Sequence, residues 1–259
     1  MPDYGKPKPD FNEEKERILE LLKREENQDI ILRLLGALAF YTRCKKFNYL
    51  QKNLGRVFTD IDFASYRKMS RRIVEFFKAC GYTEDRQVSQ LFGTSRMVFH
   101  DFSNNRHIDV FYDELKFSHT INLKGRLEKD EITIPLAELF LEKMQIAKIN
   151  EKDIIDTIML LREFDFGDDD RDHINKNIIL GYLTKDWGFW KTVTDNLKIV
   201  REYLDKYEQL TDEDREVVRS KVDYILEEID KAPKSLKWKM RSKIGTKIKW
   251  YQEVDELDV

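Results

Sequence analysis

Two short segments set aspartate among β-favouring apolar residues, and they constrain the fold more than any other stretch: Thr59-Asp60-Ile61-Asp62-Phe63 and His107-Ile108-Asp109-Val110-Phe111. Side chains alternate faces along a strand, so Asp60 and Asp62 share one face while Ile61 and Phe63 enter a core. Two strand positions span roughly 6.6 Å, a spacing that suits carboxylates clamping a pair of divalent ions about 3.5–4 Å apart. Asp109, on a neighbouring strand, supplies a third carboxylate. Oxygen donors of this kind suit Mg²⁺, which binds through one or two protein carboxylates plus substrate phosphates. Three carboxylates buried without counter-charge would be very costly, and a cation resolves that conflict. The pattern points to metal-dependent chemistry on a nucleoside triphosphate. The plain alternatives are a surface strand for Asp60 and Asp62 and a sheet-edge position for Asp109.

Around these strands the chain reads as a mixture of helices and strands. Helical periodicity starts near Phe11, with Ile18, Leu21 and Leu22 on one face. Ile30 to Leu35 reads as a short buried strand, Gly36 as a turn, and the next residues to Arg43 as a short helix. Ser65 is expected to cap a helix running to Ala79, with Gly81 as its stop. Residues 87–101 read as β-type segments, and Ser103-Asn104-Asn105 as a turn placing Arg96 and Asp109 on adjacent strands. Pro135 fits the first turn of a helix. Asn150 is expected to cap another, and Thr211 with Asp214 forms a capping-box-like start with Asp in place of Glu. An acidic run from Asp165 to Asp172 marks a plausible boundary, and Pro233 separates the last two helices.

Composition excludes several classes. Hydrophobic residues make up 41% of the 259, enough for a core, and charged residues 37%, the mark of a heavily solvated, largely helical surface. A formal net charge of -3 is not that of a polycation, so any nucleic-acid argument rests on local charge. Cys44 and Cys80 lack metal-ligand spacing and read as small buried thiols, a disulfide not being required. Residues 1–10 are Pro- and Lys-rich, are expected to be flexible, and contain no apolar signal-peptide core. No segment approaches the roughly 20 apolar residues of a membrane helix, so a soluble, cytoplasmic protein is expected.

With these positions in place, the chain resembles the nucleotidyltransferase superfamily of DNA polymerase beta. Among its branches it is most similar to bacterial nucleotidyltransferases related to the abortive-infection toxins. The family pattern is a Gly-Gly or Gly-Ser turn opening a helix, Asp-x-Asp on a strand, and a third Asp on a later strand. The matching positions are Gly36-Ala37, Asp60-Ile61-Asp62 and Asp109. The likeness continues through Arg56-Val57-Phe58-Thr59, Leu139-Phe140-Leu141-Glu142-Lys143-Met144-Gln145-Ile146 and Asn150-Glu151-Lys152-Asp153-Ile154-Ile155-Asp156. It reaches Asp186-Trp187-Gly188-Phe189-Trp190-Lys191-Thr192-Val193-Thr194, covering about residues 30–200. Ala37 departs from the pattern: a hydroxyl contact is lost, while a backbone N–H can still face a phosphate.

The resemblance implies an α+β fold: a small mixed sheet backed by helices over residues 11–165, then an all-helical region over 166–259. It implies transfer of a nucleoside monophosphate from a nucleoside triphosphate, ATP among the candidates, to a hydroxyl, with release of pyrophosphate. Asp60 and Asp62 would hold the metal carrying the triphosphate, Mg²⁺ or Mn²⁺. Asp109 would join a second metal and help deprotonate the acceptor. Lys143 would neutralise the triphosphate or the leaving pyrophosphate, and Asp156 would orient a lysine. Gly36, Ala37, Arg56, Thr59 and Arg96 would contact the nucleotide. Acceptors would be transfer RNA, a protein side chain or a small alcohol, and an antitoxin would be the protein partner. The rival readings are a catalytically inactive nucleotide-binding module of the same fold and a helical RNA-binding protein.

Other candidates have simpler explanations. Lys143 on an apolar helix can snorkel, and Arg56 and Arg96 can be solvated. His100, His107, His119 and His173 lack zinc-ligand spacing. The acidic run 165–172 lacks the ligand order of a calcium loop. Trp187, Phe189 and Trp190 read as core, with base stacking as the sharper alternative. The last helix interleaves lysines with Trp238 and Trp250, an arrangement that fits a polyanion but also an amphipathic packing helix followed by acidic residues.

Overall fold

In the computed structural model the structure describes residues 10–253. The expectations for residues 1–9 and for the acidic residues 255, 256 and 258 lie outside them. The protein is mixed α+β. In chain order the elements are α1 (Phe11–Leu22), β1 (Leu32–Leu35), α2 (Gly36–Arg43), α3 (Tyr49–Asn53), β2 (Ile61–Ser65) and α4 (Ser70–Ala79). Next come β3 (Thr83–Glu84), α5 (Arg86–Phe92), β4 (Arg96–Asp101), β5 (Arg106–Tyr112), β6 (Glu114–Lys116) and β7 (Thr120–Asn122). The remainder is α6 (Leu136–Met144), α7 (Glu151–Glu163), β8 (Asp165–Gly167), β9 (His173–Asn175), α8 (Lys176–Leu183), α9 (Trp187–Tyr203), α10 (Asp212–Lys231) and α11 (Leu236–Ile244).

The chain divides into two compact units. The first comprises Met1–Ala39, Val57–Leu115 and Asn122–Ile134; the second comprises Phe40–Arg56, Lys116–Ile121 and Pro135–Val259. The acidic stretch near Asp165, expected as a boundary, lies inside the second unit. Among the described residues no helix is long and apolar enough to cross a membrane.

A five-stranded mixed sheet in the order β1-β2-β5-β4-β3 organises the first unit. Strand β1 runs antiparallel to β2, β2 parallel to β5, and β5 antiparallel to β4. Register gives one face Leu34, Phe63, Val110, Ile108 and Phe99, all at most 1% exposed. Phe77 from α4 packs on this face, with ring centroids 4.7 Å from Phe99 and 6.1 Å from Phe63. Burying such side chains contributes roughly 1.5–3 kcal/mol each, and these contacts hold the sheet. The free edge of β1 is covered at Leu34, whose N–H donates to the Ile132 carbonyl at 2.8 Å and whose carbonyl accepts from the Ile134 N–H at 2.9 Å.

Several local expectations are corrected. Ser65 does not cap a helix: it ends β2, and its hydroxyl donates to the Ile31 carbonyl at 2.6 Å. A 3-10 turn at Arg67–Met69 intervenes before α4. Residues 86–92 form helix rather than strand, because the Asp85 carboxylate accepts from the N–H groups of Gln87 and Val88, both at 3.0 Å. The region after 165 is not all helical, since β8 and β9 pair in parallel. Gly167 permits this pairing: a Cβ there would strike the His173 side chain.

The second unit is mainly helical. The Asn150 side chain caps α7 by accepting from the Asp153 N–H at 3.0 Å, and Thr211 and Asp214 close a reciprocal capping box on α10. Pro135 takes the N-cap of α6 instead of a position in its first turn.

Candidate functional site

Strand register decides what the acidic segments can do. Asp62 pairs directly with Asp109 across the parallel strands β2 and β5. Register partners project to the same face, so both carboxylates leave the sheet opposite the Phe63–Val110 core. Asp60 lies two residues before Asp62, at the mouth of β2 and half-buried. Asp62 is also half-buried, whereas Asp109 is 5% exposed.

Arg96 completes this face. Val98 is the register partner of Asp109, and Arg96 lies two residues earlier on β4, hence on the same side. Its guanidinium grips Asp109 in a fork: Nε donates to Oδ1 at 3.1 Å and Nη2 to Oδ2 at 2.8 Å. The guanidinium also lies over the Phe111 ring, 5.4 Å from its centroid. Such paired, charge-assisted bonds are the stronger kind.

Gly36 borders the acidic face from the other side. Leu35 is the register partner of Asp62, and Gly36 follows it with φ +68°, opening α2. A Cβ at Gly36 would collide with the Asp62 carboxylate. Both the backbone conformation and the close approach therefore require glycine here. The start of α2 also places the positive end of a helix beside that carboxylate. Ala37, in the first turn, is 4% exposed, and Thr59 is exposed.

Asp62, Asp109, Arg96 and Gly36 are thus brought together, all within the first unit. Among the described residues no group of three or more His, Cys, Asp or Glu forms a ready-made metal cage. The donor set nonetheless suits a hard divalent cation of the kind that takes one or two carboxylates and fills its remaining positions with phosphate and water.

Arg56 and Lys143 belong to a different cluster, in the second unit. Lys143 is 8% exposed, and its Nζ lies 3.1 Å from Glu142, 3.5 Å from Asp153 and 3.5 Å from Asp156. Its ammonium also sits over the Phe40 ring at 5.4 Å. Burial disfavours its charge, but the carboxylates of Glu142, Asp156 and Asp153 outweigh that and raise the pKa well above the ordinary lysine value. Asp153 moves upward because burial outweighs Lys143. Asp156, fully buried, accepts from Gln51 Nε2 at 2.7 Å and pairs with Arg56 at 3.5 Å. Sequence reasoning missed Gln51 and Glu142. Glu142 adjoins Lys143 in the chain, but nothing local marks Gln51 as the partner of a residue 105 positions away.

Comparison with protein-family models, with curated proteins and with solved structures finds no match to this chain.

Proposed function

We propose that the chain is a metal-dependent nucleotidyltransferase, moving a nucleoside monophosphate from a nucleoside triphosphate to a hydroxyl acceptor with release of pyrophosphate. The observation that carries this reading is the direct pairing of Asp62 with Asp109, with the Gly36 turn against the Asp62 carboxylate. That combination unites an acidic face with a glycine turn at a helix start, the two parts needed to hold metal and phosphate.

Roles follow from position. Asp60 and Asp62 would hold the divalent cation, Mg²⁺ or Mn²⁺, whose bound charge offsets that of the triphosphate. Gly36 and Ala37 present backbone to a phosphate at the start of α2, and Thr59 lies exposed beside the Asp pair. Asp109 takes the proton of the acceptor hydroxyl. The acceptor oxygen then bonds to the α-phosphorus as the bond to the β-phosphate oxygen breaks. Arg96 restrains Asp109 until a phosphate offers its guanidinium an alternative partner. Positioning and charge stabilisation supply most of the acceleration in such transfers. Lys143 and Arg56 are met by carboxylates of the second unit, so these roles are drawn from first-unit residues alone.

The test is incubation with α-labelled nucleoside triphosphates and Mg²⁺, with total RNA, total protein and small alcohols as acceptors. Label transferred by the wild type but not by Asp60→Ala or Asp62→Ala supports the proposal. Nucleotide binding without transfer to any acceptor overturns it in favour of an inactive nucleotide-binding module.

A further inference from the structure

The second unit contains a cavity of about 500 Å³ with no part in the chemistry above. Its size falls in the range of small-ligand pockets, roughly 300–1,000 Å³. Trp187, Trp238 and Trp250 line it, drawn from the start of α9, from α11 and from the segment after α11. The indoles of Trp187 and Trp250 meet edge to face, with centroids 6.2 Å apart at 76°.

This wall is built, not incidental. Trp250 Nε1 donates to the Thr192 hydroxyl at 3.1 Å, and the Gln252 N–H donates to the Ser118 carbonyl at 3.0 Å. Gly188, in the first turn of α9, lets the Trp250 backbone lie flush, since a Cβ there would strike the Trp250 carbonyl. One donor is left over: Trp238 Nε1 is buried and has no hydrogen-bond partner. A buried indole N–H without an acceptor is costly, and tryptophan in such a setting usually finds one.

Charge narrows the ligand. Lys185, Lys237, Arg241 and Lys249 line the cavity against a single acid, Asp186. Asp186 is occupied as the cap of α9, accepting from the Phe189 N–H at 3.0 Å. Arg241 is structural: it donates to the carbonyls of Gly245 and Ile248 and lies over the Trp187 ring. Lys249 pairs with Glu253 at 2.6 Å. Among the described residues neither Lys185 nor Lys237 has an ion-pair partner. Aromatic walls and two ammonium groups without ion-pair partners match a planar heteroaromatic ring bearing phosphate.

We infer that this cavity is a nucleobase–phosphate site, taking either a free nucleotide or an unpaired nucleotide of a nucleic-acid strand. Stacking of a base on aromatic side chains and phosphate pairing with lysine are the two terms that bind such ligands. The site is independent of the nucleotidyl-transfer reading, which places its nucleotide on the first unit.

The experiment uses the full chain with three probes: AMP, a fluorescein-labelled ten-nucleotide oligoadenylate, and inorganic polyphosphate of similar charge. Binding is followed by anisotropy and by tryptophan fluorescence. The expected result is oligoadenylate binding at least tenfold tighter than polyphosphate, with indole quenching. The double variant Lys185→Glu/Lys237→Glu, both exposed, weakens binding at least tenfold with an unchanged melting temperature. It also flattens the log–log salt dependence by about 1.4, the share of two phosphate contacts on a single strand. Asp62→Asn leaves binding intact, so failure of the transfer reading and failure of this one are read separately. AMP binding as tightly as oligoadenylate per nucleotide identifies a free nucleotide as the source, and tighter oligoadenylate binding per nucleotide identifies a strand. Polyphosphate binding as tightly as oligoadenylate, an unaltered affinity in the double variant, or loss of binding in Asp62→Asn would each overturn the inference.

Discussion

Asp62 and Asp109 are direct register partners on adjacent parallel strands, and their carboxylates emerge on the same face of the sheet. Strands in this arrangement lie about 4.8 Å apart, so the two charges repel unless a cation or Arg96 intervenes. Arg96 neutralises only Asp109 directly. Asp62→Asn removes one of these two like charges while preserving shape. It is expected to leave the melting temperature in EDTA unchanged or slightly raised, while abolishing nucleotidyl transfer. A drop of several degrees in EDTA would mean that the negative charge of Asp62 stabilises the metal-free fold, and the metal-site reading would lose its basis.

The Arg96–Asp109 fork makes a second expectation. Asp109 is 5% exposed, and removing its partner leaves a nearly buried carboxylate unpaired. Arg96→Leu should destabilise by about 1.5–3 kcal/mol, the range for hydrogen bonds to charged groups. Combined with Asp109→Asn the loss should be smaller than the sum of the two, with a coupling of about 1 kcal/mol or more. Urea denaturation of the four proteins in that cycle measures it. Additive losses would show the fork to be energetically idle.

How much of this was legible in the sequence depends on the distance between partners. The β2 and β5 segments, the Gly36 turn, the Asn150 cap and the Thr211–Asp214 box are local patterns, and each lies where the sequence indicates. The Arg96–Asp109 pair was accessible because a short hairpin joins its strands. Helix α5 has helical spacing in Val88, Leu91 and Phe92 behind its Asp85 cap, but its seven residues are too few to stand out beside the β-rich residues that follow. The Arg56–Asp156 and Gln51–Asp156 contacts join residues 100 and 105 positions apart, and no periodicity carries that information. Equally illegible was the collision awaiting a side chain at Gly36, since it depends on the register of β1 against β2.

Lys143 is the one ammonium among three carboxylates, those of Glu142, Asp153 and Asp156. Lys143→Met should destabilise by about 3–5 kcal/mol, as breaking a buried ion pair does. Asp153, already raised by burial, then rises further because Lys143 no longer opposes the shift. A carboxyl with a raised native pKa contributes stability below its native value and loses it as pH rises through that value. The variant is therefore destabilised more at pH 8 than at pH 5. Equal losses at both values, measured by denaturant titration, would contradict the cluster electrostatics.

His119 links the second unit to pH in the opposite sense. Its ring stacks on Phe189 with centroids 4.7 Å apart at 5°, and its Nε2 is 2.8 Å from the Thr192 hydroxyl. Burial lowers its pKa from 6.5 to about 4. The native state thus binds fewer protons than the unfolded chain between these values. Its contribution is complete above pH 6.5 and falls away as pH drops toward 4. Between pH 7.5 and pH 5 the loss is about 2 kcal/mol, taking 1.36 kcal/mol for each pH unit of differential protonation. His119→Gln should flatten that part of the stability profile. An unchanged slope would show that other groups carry it.

Gly36 gives the sharpest test of the acidic face. Alanine there faces two separate costs: the left-handed conformation at φ +68°, worth roughly 1–2 kcal/mol, and the collision with the Asp62 carboxylate. Removing the Asp62 side chain relieves only the second. Gly36→Ala should therefore lose at least about 2 kcal/mol in the wild type. In an Asp62→Ala background it should lose only the conformational share. The comparison is made by urea denaturation without Mg²⁺, so that metal binding does not enter. If Gly36→Ala costs the same in both backgrounds, the turn and the carboxylate are not in contact. The glycine would then be serving the backbone alone, and the link between the phosphate turn and the metal-binding strand would fail.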